Sequence, residues 1–496
     1  MQFIIESRIN KLTTNRAQAL FLPITVDGGA AIKYGEFYSL LSGLDQKIID
    51  GVLKQNKFKE GIVKLIKLSD YQGYIFLATV SKLDIEKLRL LTRHFVRATK
   101  AENIKTIGFN MRDVELSAEE IVTNILMAQF DFSRNFKTEP KEGWQYLEKV
   151  LIFTSENNKE IQKQIKSGEI LGEAINAARM LSSYPPSHMM PMALAEAASD
   201  MGRENKNLLV EIFNEKKLKS FGMNAILAVG AGSANKPCLI ILEYKGGKVG
   251  ERPISLVGKG VTFDSGGLNL KPGDSMADMH MDMSGGASVL CAIKAIAQLK
   301  LPVNVVAIVP AVENMPSGLS YRQGDIIKAY GGKTIEIGNT DAEGRVILAD
   351  AIEYAKTKNP KIIFTLATLT GAAMVALGTR MSALFIKDNL ELQNKIQKIG
   401  ADCGDLLWPL PLTDLNEKDV EGNFADVTNT HKNNSRYGGA SSAAAFLSHF
   451  AKPFPLAHID MAPRMLVNPE EEFLSKGATG YGVRLFVEIV RNGIML

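Results

Sequence analysis

The chain has 496 residues, of which 46% are hydrophobic and 23% charged, and these values exclude a disordered or fibrous protein. Its 58 lysines and arginines nearly balance 54 aspartates and glutamates, so charge alone does not favour wholesale binding to nucleic acid or anionic membranes. No apolar run reaches the roughly 18 residues of a membrane-spanning helix, and charge interrupts the start before a signal peptide could form. The three cysteines lie far apart and are typical of reduced thiols. We therefore expect a soluble cytoplasmic protein.

The first third of the chain mixes short β-rich runs with charged helical stretches and contains no recognisable reactive cluster. A helical pattern follows over residues 155–184 and stops at the pair Pro185-Pro186, because proline disfavours helix in the residue before it. We predict an N-terminal α/β domain of unassigned role over 1–154, a linking helix over 155–184, and a larger domain over 185–496.

The larger segment alternates predicted strands and helices. The strand candidates are 225–229, 239–243, 254–257, 303–310, 361–366 and 456–460, and the helix candidates are 286–299, 345–356 and 441–450. Such alternation predicts a mostly parallel central sheet flanked by helices, and hence an α/β fold of two domains. Ligands of such sheets bind beyond the carboxyl ends of the strands.

Charged side chains gather after those strands. They comprise four carboxylates and three cations: Asp264, Asp282, Asp341, Glu343, Lys259, Lys271 and Arg345. Buried like charges repel strongly unless something positive lies among them, and one or two divalent metals would resolve the repulsion. The ligand set is rich in oxygen, and residue types alone do not separate zinc, manganese, cobalt and magnesium.

Three other interpretations compete for single residues of these motifs. Asp341 taken alone could cap a helix. Lys259 resembles the lysine of a phosphate-binding loop, but the glycine and the Ser or Thr of that motif are absent. Gly230 and Gly232 suggest a dinucleotide-binding turn, but Asn235 stands at the third glycine position. Only the acidic cluster accounts for several segments at once.

Residues 339–345, Asn-Thr-Asp-Ala-Glu-Gly-Arg, closely resemble the signature of the leucyl aminopeptidase (cytosol aminopeptidase) family. Further segments resemble that family's catalytic motifs in the same order, from about residue 170 nearly to the end: 257–267, Lys271-Pro272, Asp282 before Gly285-Gly286, 313–318, 367–371, 408–412, 438–450 and 477–484. The segment 185–496 would then be the catalytic domain. Thr365, His280 and the segments 182–186 and 456–463 depart from the usual pattern, but none of these departures removes a ligand.

The resemblance implies a site with two divalent cations, Zn²⁺ or Mn²⁺ with Mg²⁺ or Co²⁺ also compatible. Lys259, Asp264, Asp282 and Glu343 would hold one ion, and Asp264, Asp341 and Glu343 the other. The resemblance further implies that Lys271 polarises the scissile carbonyl and that Arg345 holds a bicarbonate ion acting as general base towards a metal-activated water. The reaction would release N-terminal amino acids, leucine-like ones preferentially, from peptides.

The same resemblance implies the remaining site residues and the assembly. Substrate binding would involve Met279, Asn339, Thr368, Leu369, Gly371, Ala373 and Ala462. The family also implies a homohexamer.

Two alternatives from other classes stay open at this stage. Acidic two-metal clusters also serve phosphoesterases, although residues 339–345 argue against this. The second alternative is an added DNA-binding role for the N-terminal domain. The near-neutral charge of the chain and the lack of a known binding motif argue against it. No membrane partner is expected.

Overall fold

A computed structural model describes residues 1–7, 9–10, 16–27, 31–82, 84–114, 116–433, 435 and 437–493. The chain divides into two compact units, Met1–Glu173 with Asn468–Lys476, and Ala174–Val467 with Gly477–Leu496. The division falls inside one continuous helix, Asn158–Ser183, which covers most of the predicted linking segment. The domain boundaries at 154 and 184 stay predictions.

The first unit is built on a seven-stranded mixed sheet. Its strands are β1 (Gln2–Glu6), β2 (Ala19–Asp27), β3 (Ala31–Lys33), β4 (Val63–Lys67), β5 (Tyr74–Val80), β6 (Thr106–Asn110) and β7 (Lys149–Phe153). Its helices are α1 (Glu36–Leu40), α2 (Gly43–Gln55), α3 (Ile85–Ala101), α4 (Met111–Val114), α5 (Ala118–Gln129) and the first part of α6 (Asn158–Ser183). The strand order is β1-β7-β6-β2-β5-β4, with β3 paired to β2.

The second unit contains a nine-stranded sheet and a small three-stranded sheet. The strands are β8 (Leu208–Phe213), β9 (Cys238–Lys245), β10 (Ile254–Gly258), β11 (Gly260–Asp264), β12 (Asn304–Asn314), β13 (Ile326–Lys328), β14 (Thr334–Glu336), β15 (Ile362–Ala367), β16 (Ser382–Ile386), β17 (Leu407–Pro409), β18 (Val427–Thr428) and β19 (Leu456–Asp460). The large sheet has the order β17-β16-β19-β15-β10-β12-β9-β8, with β11 beside β12. Its centre, β19-β15-β10-β12, is parallel throughout, which confirms the predicted α/β class.

Helices cover this sheet. They are α7 (Pro191–Glu204), α8 (Glu215–Phe221), α9 (Asn224–Gly230), α10 (Ser284–Gln298), α11 (Glu343–Lys356), α12 (Gly371–Leu377), α13 (Leu390–Cys403), α14 (Asp414–Lys418), α15 (Gly439–Ala451) and α17 (Val483–Arg491); α16 (Pro469–Glu472) belongs to the first unit. The three predicted helices correspond to α10, α11 and α15, which are buried over most of their length. Among the described helices, none combines the length and apolar character required to cross a bilayer.

One predicted strand is wrong. The run 225–229 forms helix α9, Asn224–Gly230, and not a strand. A short apolar run cannot be assigned to strand or helix by periodicity alone. The deciding contact is remote in sequence, because the carboxylate of Asp350 accepts hydrogen bonds from the N–H groups of Ala225 and Ile226 at 2.9 and 3.0 Å and so satisfies the first turn of the helix.

Candidate metal centre

The ends of neighbouring strands position the predicted ligands. Lys259 lies between β10 and β11, and Asp264 is the last residue of β11. Asp264 pairs in register with Asn314 at the end of β12. Glu343 is the first residue of α11. Because parallel strands end at one edge of the sheet, residues far apart in sequence meet there.

Two lysines bind the four carboxylates in pairs. The Nζ of Lys259 lies 2.7 Å from Asp282 Oδ2 and 2.8 Å from Glu343 Oε1. The Nζ of Lys271 lies 2.8 Å from an oxygen of Asp264 and 2.6 Å from one of Asp341. Carboxylate oxygens of Asp264, Asp341 and Glu343 all lie within 4.8 Å of one another. The structure therefore brings every predicted metal ligand, and Lys271, into one cluster.

Most of the cluster is buried, and it contains more acidic than basic side chains. Lys259, Asp264, Asp282 and Glu343 are each at most 3% exposed. Burial, with the nearby Glu343 carboxylate, raises the pKa of Asp264 to about 6, and burial raises the pKa of Asp282 well above its ordinary value. Burial also opposes ionisation of Glu343, but the charges of Lys259 and Lys271 hold its pKa below the ordinary value. Four carboxylates face only two ammonium groups, and such an oxygen-rich donor set fits a hard divalent cation.

Polar neighbours orient the ligands. The side-chain amide of Asn314 donates to Asp264 Oδ1 and to the carbonyl of Thr340, both at 2.9 Å. The hydroxyl of Thr368 donates to Asp282 Oδ1 at 2.7 Å, and its carbonyl accepts from Lys259 Nζ at 3.0 Å. Metal ligands normally have such second partners, which fix their orientation.

Asp341 does not act as a helix cap. The residue at the N-cap of α11 is Ala342, which makes no side-chain capping bond, and Asp341 instead pairs with Lys271. Lys259 is fully engaged by carboxylates, so it is not available to a phosphate loop. Both of the competing interpretations of these two residues are therefore disfavoured.

Arg345 is half-buried beside the cluster. Its Nη1 donates to the carbonyl of Asn429 at 2.9 Å, while its Nε has no hydrogen-bond partner among the described residues. Burial lowers the pKa of Arg345 to about 10. An orphaned N–H on a planar guanidinium suits an anion with several oxygens.

Asn429 is a residue that the sequence did not single out. It is fully buried, accepts from the N–H of Gly338 at 2.8 Å and donates to the carbonyl of Asn339 at 2.7 Å. It therefore anchors the signature loop that carries Asp341 and Glu343. It is separated from that loop by about ninety residues, so no local pattern could have revealed it.

The predicted substrate-binding residues have different degrees of exposure. Met279, Asn339, Leu369 and Ala462 are half-buried, Thr368 is buried, and Gly371 is exposed. Ala373 is fully buried in the hydrophobic core, so it does not reach the protein surface, and its role in substrate binding stays a prediction. The N–H groups of Leu369 and Ala462 share one acceptor, Asp460.

Comparison with known proteins agrees with this architecture. Residues 176–487 match the model of the cytosol aminopeptidase family, catalytic domain. A probable cytosol aminopeptidase of Syntrophotalea carbinolica is 39% identical, covering 84% of this chain and 85% of the relative. One from Stutzerimonas stutzeri is 33% identical over the full length of both.

Solved structures extend the agreement to the fold. A mutant of tomato leucine aminopeptidase superimposes with a TM-score of 0.85 at 30% identity, covering 99% of this chain and 97% of the other. A bottromycin maturation enzyme, BotP, in complex with Mn has a TM-score of 0.81 at 27% identity, covering 96% and 99%. The family match and the similar structures define the class of protein, a peptide hydrolase that acts at the N-terminus. The chain belongs to the cytosol aminopeptidase family, and it is an aminopeptidase.

Proposed function

We propose that this enzyme is a leucyl aminopeptidase that uses two divalent cations to release N-terminal amino acids, leucine-like ones preferentially. The observation that carries the proposal is the convergence of five predicted ligands: Lys259 lies within 2.8 Å of Asp282 and Glu343, and oxygens of Glu343, Asp264 and Asp341 lie within 4.8 Å of one another. The family membership supports the reaction class, and the surplus of buried carboxylates supports the metals.

Two sets of ion pairs within the cluster support two cations. Lys259 pairs with Asp282 and Glu343, and Lys271 pairs with Asp264 and Asp341. Glu343 and Asp264 would be shared, and Lys259 would bind as the neutral amine. When bound, such a pair of ions supplies Lewis acidity and an activated water. We propose Zn²⁺ or Mn²⁺, the latter being the ion named with the BotP structure.

Lys271 is the proposed electrophile. It is the more accessible of the two lysines, because its side chain is 14% exposed, whereas that of Lys259 is 4% exposed. With a peptide bound, the ammonium group of Lys271 would donate a hydrogen bond to the oxygen of the scissile carbonyl as negative charge develops on that oxygen. An interaction that strengthens in the transition state raises the rate and not merely the affinity.

Arg345 is the proposed anion holder. Its unpaired, buried Nε and its planar geometry support the binding of bicarbonate, which would supply a proton acceptor. The asparagine that holds its other end, Asn429, would fix the guanidinium in place. The role of the guanidinium is thus to bind and orient the anion.

Two further proposals rest on relatives alone. The name of the family and of its members supports a cytosolic location, and the resemblance supports a homohexamer. Sedimentation of the purified protein measures the assembly directly.

Turnover of leucine amide and of p-nitrophenyl phosphate by the metal-loaded enzyme tests the proposed function. We expect leucine amide to be hydrolysed, with loss of activity after chelation and recovery on adding Zn²⁺ or Mn²⁺. Hydrolysis of the phosphate ester alone would indicate a phosphoesterase instead. Full activity on leucine amide after complete metal removal would contradict the two-cation mechanism.

A further inference from the structure

We propose that Asp460 is a positioning residue. It holds the predicted substrate-binding residues Leu369 and Ala462, which would contact the first side chain of the peptide, at a fixed distance from the metal cluster. The inference rests on the proposed function and adds a residue to it. Asp460 is fully buried at the end of β19, where it pairs in register with Ala367 of the neighbouring strand β15. Each of these strands is followed by a loop that contains predicted substrate-binding residues.

One carboxylate ties the two loops together. Asp460 Oδ1 accepts from the N–H of Leu369 and from the N–H of Ala462, both at 3.1 Å. Its Oδ2 accepts from the hydroxyl of Thr370 at 2.7 Å. That hydroxyl also caps α12, since it accepts from the N–H of Ala373 at 3.1 Å. Removing the carboxylate would therefore take away the side-chain contacts between the loops after β15 and β19, while the backbone bond from the N–H of Met461 to the carbonyl of Ala367 remains.

The loop after β15 also contacts the metal cluster, through Thr368, the residue before Leu369. The carbonyl of Thr368 accepts a hydrogen bond from Lys259, and its hydroxyl donates one to Asp282. A chain of direct contacts thus runs from the proposed metal ligands through Thr368 and Leu369 to Asp460 and Ala462. A side-chain pocket is useful only if it holds the first residue in register with the reacting carbonyl, and small misplacements lower rates steeply.

The chain offers a matched control in the first unit, which contains none of the site residues. Asp45 is also a fully buried aspartate. Its carboxylate accepts from the backbone N–H groups of Ser69, Asp70 and Tyr71 at 2.9 to 3.3 Å. Asp45→Asn therefore perturbs the same kind of interaction without touching the proposed site.

The experiment compares Asp460→Ala, Asp460→Asn, Thr370→Val and Asp45→Asn with the wild-type enzyme. For each metal-loaded protein, kcat and KM are measured on leucine amide and glycine amide, together with metal content and Tm. We expect Asp460→Ala to lower the leucyl-to-glycyl ratio of kcat/KM about tenfold or more, with metals retained. Asp460→Asn keeps a side-chain oxygen that can accept from the N–H groups of Leu369 and Ala462. We therefore expect this variant to retain most of the wild-type leucyl-to-glycyl ratio of kcat/KM.

A merely structural role would lower Tm and leave the ratio unchanged, as we expect for Asp45→Asn. An Asp460→Ala enzyme with the wild-type ratio would overturn the inference. Should that variant not fold, Thr370→Val, which removes only the Oδ2 contact and the cap, carries the test: a lowered ratio supports the inference and an unchanged ratio overturns it. A metal-loaded wild-type enzyme inactive on both amides would overturn the proposed function itself, and the inference with it.

Discussion

Gly344 and Lys259 are in such close contact that a side chain at residue 344 would displace the end of Lys259. A Cβ built on Gly344 would lie 2.6 Å from Lys259 Cε and 2.7 Å from its Nζ. The glycine of the signature thus leaves room for the lysine that the resemblance names as a metal ligand. We expect Gly344→Ala to displace Lys259, lowering metal content and reducing kcat/KM at least about tenfold, measured by elemental analysis and leucine amide hydrolysis.

Gly51→Ala is the control for that substitution. Gly51 lies inside helix α2, and a Cβ there would meet nothing within 4 Å. Alanine is the better helix former by about 1 kcal/mol, so this variant should be at least as stable as the wild type and fully active. Normal metal content in Gly344→Ala would contradict the proposed role of Lys259.

Substitution of the two proposed shared ligands, Asp264 and Glu343, should affect metal content, whereas substitution of Lys271 should affect only catalysis. We expect Asp264→Ala and Glu343→Ala to abolish turnover and to lower metal content, because each would take a shared ligand from a buried site. Lys271→Ala should retain the metals and reduce kcat by about 10² or more, since it removes a group that acts on the carbonyl. Metal analysis and steady-state kinetics separate the two effects.

Asp274 supplies the matched carboxylate for this series. It is exposed on the loop between Lys271 and Asp282 and lies outside the cluster. Asp274→Ala should keep both metals and turnover. Wild-type activity in either bridging variant would refute the proposed ligand assignment.

Asn429 should support both stability and catalysis. Asn429→Ala leaves the half-buried N–H of Gly338 and carbonyl of Asn339 without their partner, and each lost hydrogen bond contributes about 0.5–1.5 kcal/mol. We expect a loss of that order in the free energy of unfolding, measured by chemical denaturation, together with a lower kcat. Asn423→Ala, at an exposed residue, should change stability by no more than about 0.5 kcal/mol. Equal stability of the two variants would count against the anchoring role.

The pH dependence of stability should include a contribution from Glu417. Burial opposes its ionisation, but hydrogen bonds from Lys452, Lys387 and Ser448 lower its pKa from 4.5 to about 2. Because the folded-state pKa is the lower one, the carboxylate stabilises the protein above pH 4.5, and this stabilisation is lost as the pH falls towards 2. Hydrogen bonds to charged groups contribute about 1.5–3 kcal/mol.

We therefore expect Glu417→Gln to be less stable than the wild type by about that amount at pH 7, with the difference shrinking below pH 4.5. Denaturant titrations on both sides of that pH measure it. Glu391→Gln, at an exposed glutamate, should show no such gap. A difference between Glu417→Gln and the wild type that is independent of pH would rule out the charge as its source.

Several elements could be predicted from the sequence because their signals are local. Long apolar helices such as α10 and α15, and β-branched runs such as β12, reveal themselves by composition and periodicity. The short strand β11 was not predicted, although it ends at Asp264, because so short a run contains too little pattern. The strand predicted at 225–229 was wrong because a distant carboxylate, that of Asp350, settled the conformation.

By itself, the sequence determined the fold class, the family and the identity of the residues that gather at the sheet edge, because these depend on residue types and spacings along the chain. Only the tertiary structure decided how Lys259 and Lys271 pair with the carboxylates. It also decided that Asn429 anchors the signature loop and that Asp460 contacts both the loop after β15 and the loop after β19. The contacts that Asn429 and Asp460 make with those loops link residues about ninety positions apart. Hydrogen bonding and burial act on distance in space and not on distance in sequence.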